Sequence, residues 1–174
     1  MHSTLQMLLL TIFPALVTVG GLRDLTSYII PNWISLALIA AFVPAALAAG
    51  VPIGTIGLHL AVGVAALVLG MVMWSLKWIG GGDAKLFAAS GLWLGWPACL
   101  VFAVATCIAG GALAISLLLL RSMWLRPFLP GKPAWFGRLV QPGENVPYGV
   151  AIAVGALYAL PGSTLVQAVA GTSF

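Results

Sequence analysis

Carboxyl groups are scarce in this 174-residue chain, which contains only Asp24, Asp83 and Glu144. Two carboxyl groups that meet can hydrolyse a peptide bond, because the ionised one takes a proton from water while the neutral one donates a hydrogen bond to the scissile carbonyl. The same pairing also serves proton or cation pathways through membranes. Because such a pair titrates as a unit, the sequence does not assign which carboxyl is ionised at rest. We regard Asp24 and Asp83 as the candidate pair.

The segment before Asp83 consists of three glycines, Gly80, Gly81 and Gly82, and Lys85 follows two residues after the aspartate. Glycine adopts backbone conformations that are closed to other residues, and it lets a second chain approach closely. The triplet therefore predicts either an unwound segment where a substrate can lie extended or an ordinary helix-breaking turn. Lys85 could balance the charge of Asp83 locally.

The segment after Asp24 leads to Pro31 and Asn32. Proline disfavours helix at the residue before it, so the chain between Asp24 and Pro31 is expected to straddle the membrane interface and to fix the start of the next helix. Asn32 is a candidate N-cap for a helix over residues 33–49. Taken alone, this segment is also compatible with a routine interfacial loop.

The composition indicates that these carboxyls lie in a membrane protein. Hydrophobic residues make up 62% of the chain and charged residues 6%, whereas soluble domains carry about a quarter charged residues. The apolar runs are continuous rather than alternating, which favours helices over a barrel. The sequence thus predicts an all-α, polytopic integral membrane protein that forms a single domain over residues 1–174. About six transmembrane helices are expected, near residues 5–22, 33–49, 53–76, 83–96, 97–120 and 146–170.

The positive charges indicate the orientation of these helices. With six helices, every Lys and Arg lies on one side, and the positive-inside rule makes that side cytoplasmic. Asp24 and Asp83 then lie at the cytoplasmic ends of their helices, at similar depth. A five-helix count would split the charges between the two sides. The seven cations are Arg23, Lys77, Lys85 and, in a proline-rich loop over residues 121–145, Arg121, Arg126, Lys132 and Arg138.

The net charge and the remaining polar residues give no indication of a nucleic-acid partner, a metal or a cofactor. A net charge of +4 is small and does not indicate nucleic acid. The sequence offers no convincing cluster of metal ligands, and carboxyl chemistry needs neither a metal nor a cofactor. His59, in the middle of an apolar stretch, is expected to be a buried hydrogen-bonding or packing residue. Glu144 is expected to be a solvated loop charge, with an electrostatic contact to a substrate as the alternative.

Together these segments resemble the type IV prepilin peptidase family, the GxGD-type aspartic peptidases of bacterial membranes. Gly80-Gly81-Gly82-Asp83 fits the GxGD motif, and the stretch from Asp24 through Ile30-Pro31-Asn32 fits the first catalytic aspartate and the element that follows it. Residues 146–151, which read VPYGVA, resemble the segment that opens the last helix. Order, spacing and expected topology agree over essentially the whole chain.

The resemblance implies an intramembrane aspartic endopeptidase in the bacterial inner membrane, with its active site facing the cytoplasm. The implied substrate is a prepilin or pseudopilin, whose short basic leader is removed just before a hydrophobic helix. Larger members carry a cysteine-containing insert with N-methyltransferase activity, and nothing in this sequence matches it. The chain therefore resembles the small, peptidase-only branch associated with Tad/Flp pili. The implied site residues are Asp24 and Asp83 for catalysis and Gly80, Gly81, Gly82, Lys85, Pro31 and Asn32 for positioning the substrate.

Two other hypotheses are consistent with paired carboxylates. A small transporter, channel or pilus-assembly subunit would bind protons or cations, and it would need further polar residues along a path across the bilayer. A presenilin-like GxGD protease would act on a different substrate, and its first aspartate is expected in a Tyr-Asp context within a helix. The sequence does not indicate an oligomeric state.

Overall fold

A computed structural model describes residues 2–122 and 134–171 of the protein, so the predicted loop cations Arg126 and Lys132 lie outside the described residues. Every regular element in the described ranges is helical, which confirms the predicted all-α class. A short 3-10 turn, Leu160–Gly162, precedes the last helix. The helices are α1 (His2–Ser27), α2 (Asn32–Ala48), α3 (Ile53–Ser75), α4 (Gly81–Leu94), α5 (Ala98–Leu120), α6 (Ala134–Leu139), α7 (Tyr148–Ala159) and α8 (Thr164–Ala170).

Prolines mark the starts of four helices. Proline lacks a backbone N–H, so it adds no unpaired donor at a helix start, and its fixed φ restricts the connecting segment. The connections between the first five helices are also short, at three to five residues. Short connections favour antiparallel packing of neighbouring helices. The N-cap prolines of α2, α3, α5 and α7 are Pro31, Pro52, Pro97 and Pro147.

α4 lies at the centre of the bundle, and ten of its 14 residues are buried. Its Trp93 stacks on Phe13 of α1, with ring centroids 5.4 Å apart, and donates a 2.8 Å hydrogen bond to the carbonyl of Leu38 in α2. On the opposite side, Gly70 of α3 packs so closely that an added Cβ would lie 3.2 Å from Ala84. These contacts fix the position of α4 between α1, α2 and α3.

Within the described ranges, three helices are long and apolar enough to cross a membrane: α1 from Leu8, α3 and α5. α7 with its 3-10 turn and α8 form a pair bent by 41°, which makes a fourth span if the pair crosses as one unit. α2 has 17 residues and α4 has 14, fewer than the roughly 20 that a full crossing needs. The structure thus supports a multi-pass membrane protein, and the count of six remains a prediction.

The first helix is longer than predicted. It continues to Ser27 instead of ending near Leu22, so Asp24 lies within α1 rather than after it. The hydroxyls of Thr26 and Ser27 donate to backbone carbonyls four residues earlier, at 2.8 and 2.6 Å. Such bonds satisfy polar side chains on the helix itself, which allows the helix to continue past the end of the apolar run.

Two further boundaries differ from the prediction. Asn32 is the first residue of α2 and not its cap, because Pro31 occupies the N-cap position and makes no side-chain capping bond. The span predicted over residues 146–170 is broken between α7 and α8, where Pro161 lies in the 3-10 turn. Ser163 then caps α8 by accepting a 3.3 Å hydrogen bond from the N–H of Val166.

Candidate active site

Asp24 and Asp83 line one cavity of about 280 Å³, here called the carboxylate cavity. It lies where the end of α1 and the end of α3 meet the starts of α4 and α7. Both aspartates are largely buried, with exposed fractions of 5% and 7%. The structure therefore brings together the two carboxyls that the sequence singled out. The other residues that line the cavity are Tyr28, Trp74, Lys77, Trp78, Ile79, Gly80, Asn145, Val146 and Tyr148.

Asp24 is held against the start of α7. Its Oδ2 accepts a 2.7 Å hydrogen bond from the backbone N–H of Gly149, one of the first N–H groups of a helix, which have no partner within the helix. A Cβ at Gly149 would lie only 2.8 Å from the Cβ of Asp24. Gly21, one turn earlier in α1, approaches Ala153 of α7 as closely, at 2.9 Å for an added Cβ. Close packing of α1 on α7 thus positions the Asp24 carboxylate.

Asp83 lies in the first turn of α4, where its Oδ2 accepts a 2.9 Å hydrogen bond from the N–H of Gly80. Its Oδ1 is buried and has no hydrogen-bond partner within the described part of the chain. The Asp24 carboxyl lines the same cavity. A buried carboxyl oxygen without a donor, beside a second carboxyl, is an arrangement that a shared proton would stabilise.

The glycine triplet does not form the unwound segment that the sequence analysis considered. Gly80 is the N-cap of α4, and Gly81 and Gly82 belong to the helix. The close approach at Gly82 comes from the chain itself, because an added Cβ would lie 3.0 Å from the Cβ of Ile30. Of the two alternatives for the triplet, the extended segment is therefore not observed, and Gly82 provides space for the residue that precedes Pro31.

Lys85 and Asn32 pair with each other rather than with the aspartates. The Nζ of Lys85 donates a 2.8 Å hydrogen bond to Oδ1 of Asn32. Both residues line an apolar groove between α2 and α3 and do not line the carboxylate cavity. Pro31 likewise lies outside the cavity lining. Of the six residues expected to position a substrate, only Gly80 lines the cavity.

Two residues at this cavity that the sequence did not single out have unusual backbone conformations. Tyr28 and Lys77 have φ values of 56° and 60°, and they are the only non-glycine residues with positive φ in the described ranges. Bulky residues rarely adopt this conformation, and it often occurs at functional sites. Burial raises the pKa of Tyr28 above its ordinary value, an effect that the guanidinium of Arg121 opposes. Residue type alone gives no signal for such a conformation.

Arg121 fixes the segment that leads into α7. Its guanidinium donates to the backbone carbonyls of Leu139, Glu144 and Asn145 at 2.9, 2.7 and 2.9 Å. Arg138 of α6 donates a 2.9 Å hydrogen bond to the carbonyl of Thr26 in α1. These bonds hold the 139–147 segment beside the cavity. All five described cations lie at this end of the bundle.

His59 lies at the opposite end of the bundle. The imidazole is 1% exposed, and its Nδ1 lies 2.8 Å from the carbonyl of Leu92, to which it can donate. Its Nε2 bonds to the hydroxyl of Thr164. His59 thereby joins α3 to α4 and α8, which confirms the predicted role as a buried hydrogen-bonding residue.

A bundle of apolar helices with two buried carboxyls at one end defines a helical membrane protein with a carboxylate site. The type IV leader peptidase family matches residues 11–115, a stretch that runs from α1 into α5 and contains both aspartates. The chain belongs to the type IV leader peptidase family. This confirms the family that the segments around Asp24 and Asp83 predicted.

Similar proteins include the prepilin leader peptidase/N-methyltransferases of Aeromonas hydrophila and of Aeromonas salmonicida (strain A449). Each is 39% identical to this chain over 62 residues, which make up 30% of this chain and 21% of the relative. The match therefore spans about a fifth of the length of these relatives. No solved structure matches the chain.

Proposed function

We propose that this protein is an aspartic endopeptidase that removes the leader of a prepilin or pseudopilin, with Asp24 and Asp83 as the catalytic pair. One observation carries the proposal: two buried carboxyls from separate helices line one cavity, and a backbone N–H fixes one oxygen of each. Membership of a leader peptidase family supports peptidase activity. The names of the Aeromonas relatives support a prepilin substrate.

The pair would act by general acid–base catalysis. The ionised carboxyl takes a proton from a water molecule, whose oxygen attacks the scissile carbonyl carbon, while the neutral carboxyl donates a hydrogen bond to the carbonyl oxygen. The tetrahedral intermediate then collapses, the C–N bond breaks, and a proton passes to the leaving nitrogen. The leader gains a carboxyl group and the mature protein gains an amine. Burial of Asp24 and Asp83 favours a single shared proton, because two adjacent charges would repel.

The same proposal includes the orientation in the membrane. Arg23, Lys77, Lys85, Arg121 and Arg138 lie at the end of the bundle that holds the carboxylate cavity. Under the positive-inside rule, this end faces the cytoplasm of a bacterium and the helices lie in its inner membrane. A basic leader would then stay in the cytoplasm while the hydrophobic helix that follows it lies in the bilayer. We further propose that the substrate belongs to a Tad/Flp-type pilus, the branch of the family that the sequence resembles.

Co-expression with candidate prepilins tests the proposed function. Wild-type protein is expected to convert a prepilin to a shorter form whose new N-terminus lies just before the hydrophobic helix, as read by N-terminal sequencing. The same prepilin expressed with the Asp83→Asn variant should remain full length. Uncleaved prepilins in both strains, together with proton or cation flux that depends on Asp24 and Asp83, would support the transporter hypothesis instead.

A further inference from the structure

An apolar groove of about 440 Å³ opens between α3 and α5. We call it the α3–α5 groove. Leu69 of α3 forms one wall, and Ala103, Gly110 and Gly111 of α5 form the other, while Phe87 of α4 lies in the lining. Both wall helices are apolar over their whole lengths and are long enough to cross a membrane. The groove therefore faces the part of the protein that lipid surrounds.

This groove is continuous with the carboxylate cavity. Trp78, Ile79 and Tyr148 line both, so the two hollows share one boundary. Two other apolar grooves, one between α2 and α3 and one between α5 and α7, share no lining residue with the carboxylate cavity. A chain that leaves the cavity towards the membrane therefore meets the α3–α5 groove first.

The size and composition of the groove fit an α-helix. Ala103 and Gly111 are eight residues apart, which corresponds to about 12 Å along α5, or roughly two helical turns. Small residues at a helix surface let a second helix approach closely within a membrane. An added Cβ at Gly111 would meet nothing within 4 Å, so its position is open for contact with another chain.

We propose that the α3–α5 groove binds the first two or so turns of the substrate's apolar helix, and that Trp78, Ile79 and Tyr148 guide the preceding residues to Asp24 and Asp83. The proposal rests on the proposed function, since it names where that substrate docks. Binding energy from the helix, remote from the reacting bond, then holds the scissile carbonyl between the carboxyls.

A matched pair of glycine variants tests the proposal. Gly111→Leu fills the groove. Gly57→Leu makes the same change on α3, where an added Cβ also meets nothing within 4 Å and the residue lines neither the α3–α5 groove nor the carboxylate cavity. With a full-length prepilin in detergent, Gly111→Leu should lower kcat/KM about tenfold or more, because it removes the binding energy that holds the scissile carbonyl between the carboxyls. Gly57→Leu should match wild type, and so should Ala109→Leu, which fills the groove between α5 and α7.

Cross-linking gives a second readout in the same system. Cys107 is exposed and lines the groove, so in a Cys99→Ala background an added thiol oxidant can join it by a disulfide to single cysteines placed along the prepilin helix. Cross-links are expected only at positions in the first two turns of that helix. Cleavage by wild type, an unchanged kcat/KM in Gly111→Leu and no cross-link to Cys107 would overturn the proposed role of the groove and leave the proposed function intact. Absence of cleavage by wild type would overturn both.

Discussion

The backbone N–H of Gly149 lies 2.7 Å from Oδ2 of Asp24, although 125 positions separate the two residues in the chain. The bond joins the last turns of α1 to the first turn of α7. It exists only because Gly149 lacks a side chain, since an added Cβ would lie 2.8 Å from the Cβ of Asp24 and 2.9 Å from its Oδ2. The orientation of one candidate catalytic carboxyl therefore depends on a glycine at the far end of the sequence.

Gly149→Ala should lower activity strongly, because the new methyl group must push Asp24 away from the N–H that holds it. Overpacking of this kind costs about 1–3 kcal/mol, so most of the protein should still fold and insert. Cleavage assays with a membrane-fraction blot measure both effects. Gly57→Ala, at an open position, is the control and should behave as wild type. Wild-type cleavage by Gly149→Ala would show that the Gly149 bond does not matter for catalysis.

Asp24→Asn and Asp83→Asn should each reduce cleavage by about 10²–10⁴-fold, the usual contribution of general acid–base catalysis. Asparagine has nearly the same shape as aspartate but cannot act as a base or hold the shared proton. Because the carboxyls work as one unit, the double variant should be no slower than either single variant. The measurement is the rate of prepilin cleavage by equal amounts of inserted protein. Substantial activity in either single variant would show that the substituted aspartate is not catalytic.

Gly82→Val should lower both activity and thermal stability. The added Cβ would lie 3.0 Å from the Cβ of Ile30, so the valine must displace the short connection between α1 and α2. The melting temperature in detergent distinguishes this explanation from crowding of the substrate, which would reduce cleavage alone. Gly57→Val makes the same replacement at a position where an added Cβ meets nothing within 4 Å. It should change neither the cleavage activity nor the melting temperature. An unchanged melting temperature in Gly82→Val would contradict the packing role.

Reporter fusions test the topology. Fusions within residues 23–32, 77–85 and 121–145 should report the cytoplasm, and those near residues 50–53 and 96–97 should report the outside. The reason is that all seven Lys and Arg residues fall within residues 23–32, 77–85 and 121–145. Loops rich in Lys and Arg stay in the cytoplasm. An external signal from the 121–145 loop would contradict the six-helix prediction and would leave α4 as a re-entrant segment.

His59→Ala should destabilise the protein and leave the chemistry intact. The variant removes the partner of the Leu92 carbonyl and of the Thr164 hydroxyl, and truncation of a large buried side chain costs roughly 2–5 kcal/mol. The rate of cleavage per folded molecule should be close to that of wild type, because His59 lies at the other end of the bundle. Chemical denaturation in detergent measures the loss. Leu60→Ala, next to it and half exposed, should have little effect.

The all-α class and the meeting of Asp24 and Asp83 at one cavity could be predicted from the sequence, because apolar runs and scarce charges are local signals. The end of α1 was misjudged because hydropathy marks where lipid ends and not where a helix ends. The role of Asn32 could not be foreseen, since its side chain pairs with Lys85, 53 positions away. The bond from Gly149 to Asp24 and the positive φ values of Tyr28 and Lys77 likewise arise from packing between distant segments. A presenilin-like protease is expected to have its first aspartate within a helix and directly after a tyrosine. Asp24 meets the first condition, because it lies in α1, but it follows Arg23 and therefore does not meet the second.

The burial of α4 has a consequence for how the protein is made. At 14 residues the helix is about 21 Å long, shorter than the roughly 30 Å hydrocarbon layer, and its first turns carry Asp83 and Lys85. Such a segment does not partition into lipid well by itself. α3 precedes it and presents Gly63 and Gly70, where an added Cβ would lie 3.0 and 3.2 Å from Leu92 and Ala84 of α4. We therefore expect α4 to enter the bilayer as a hairpin with α3, with Asp83 already shielded from lipid by its partner helix.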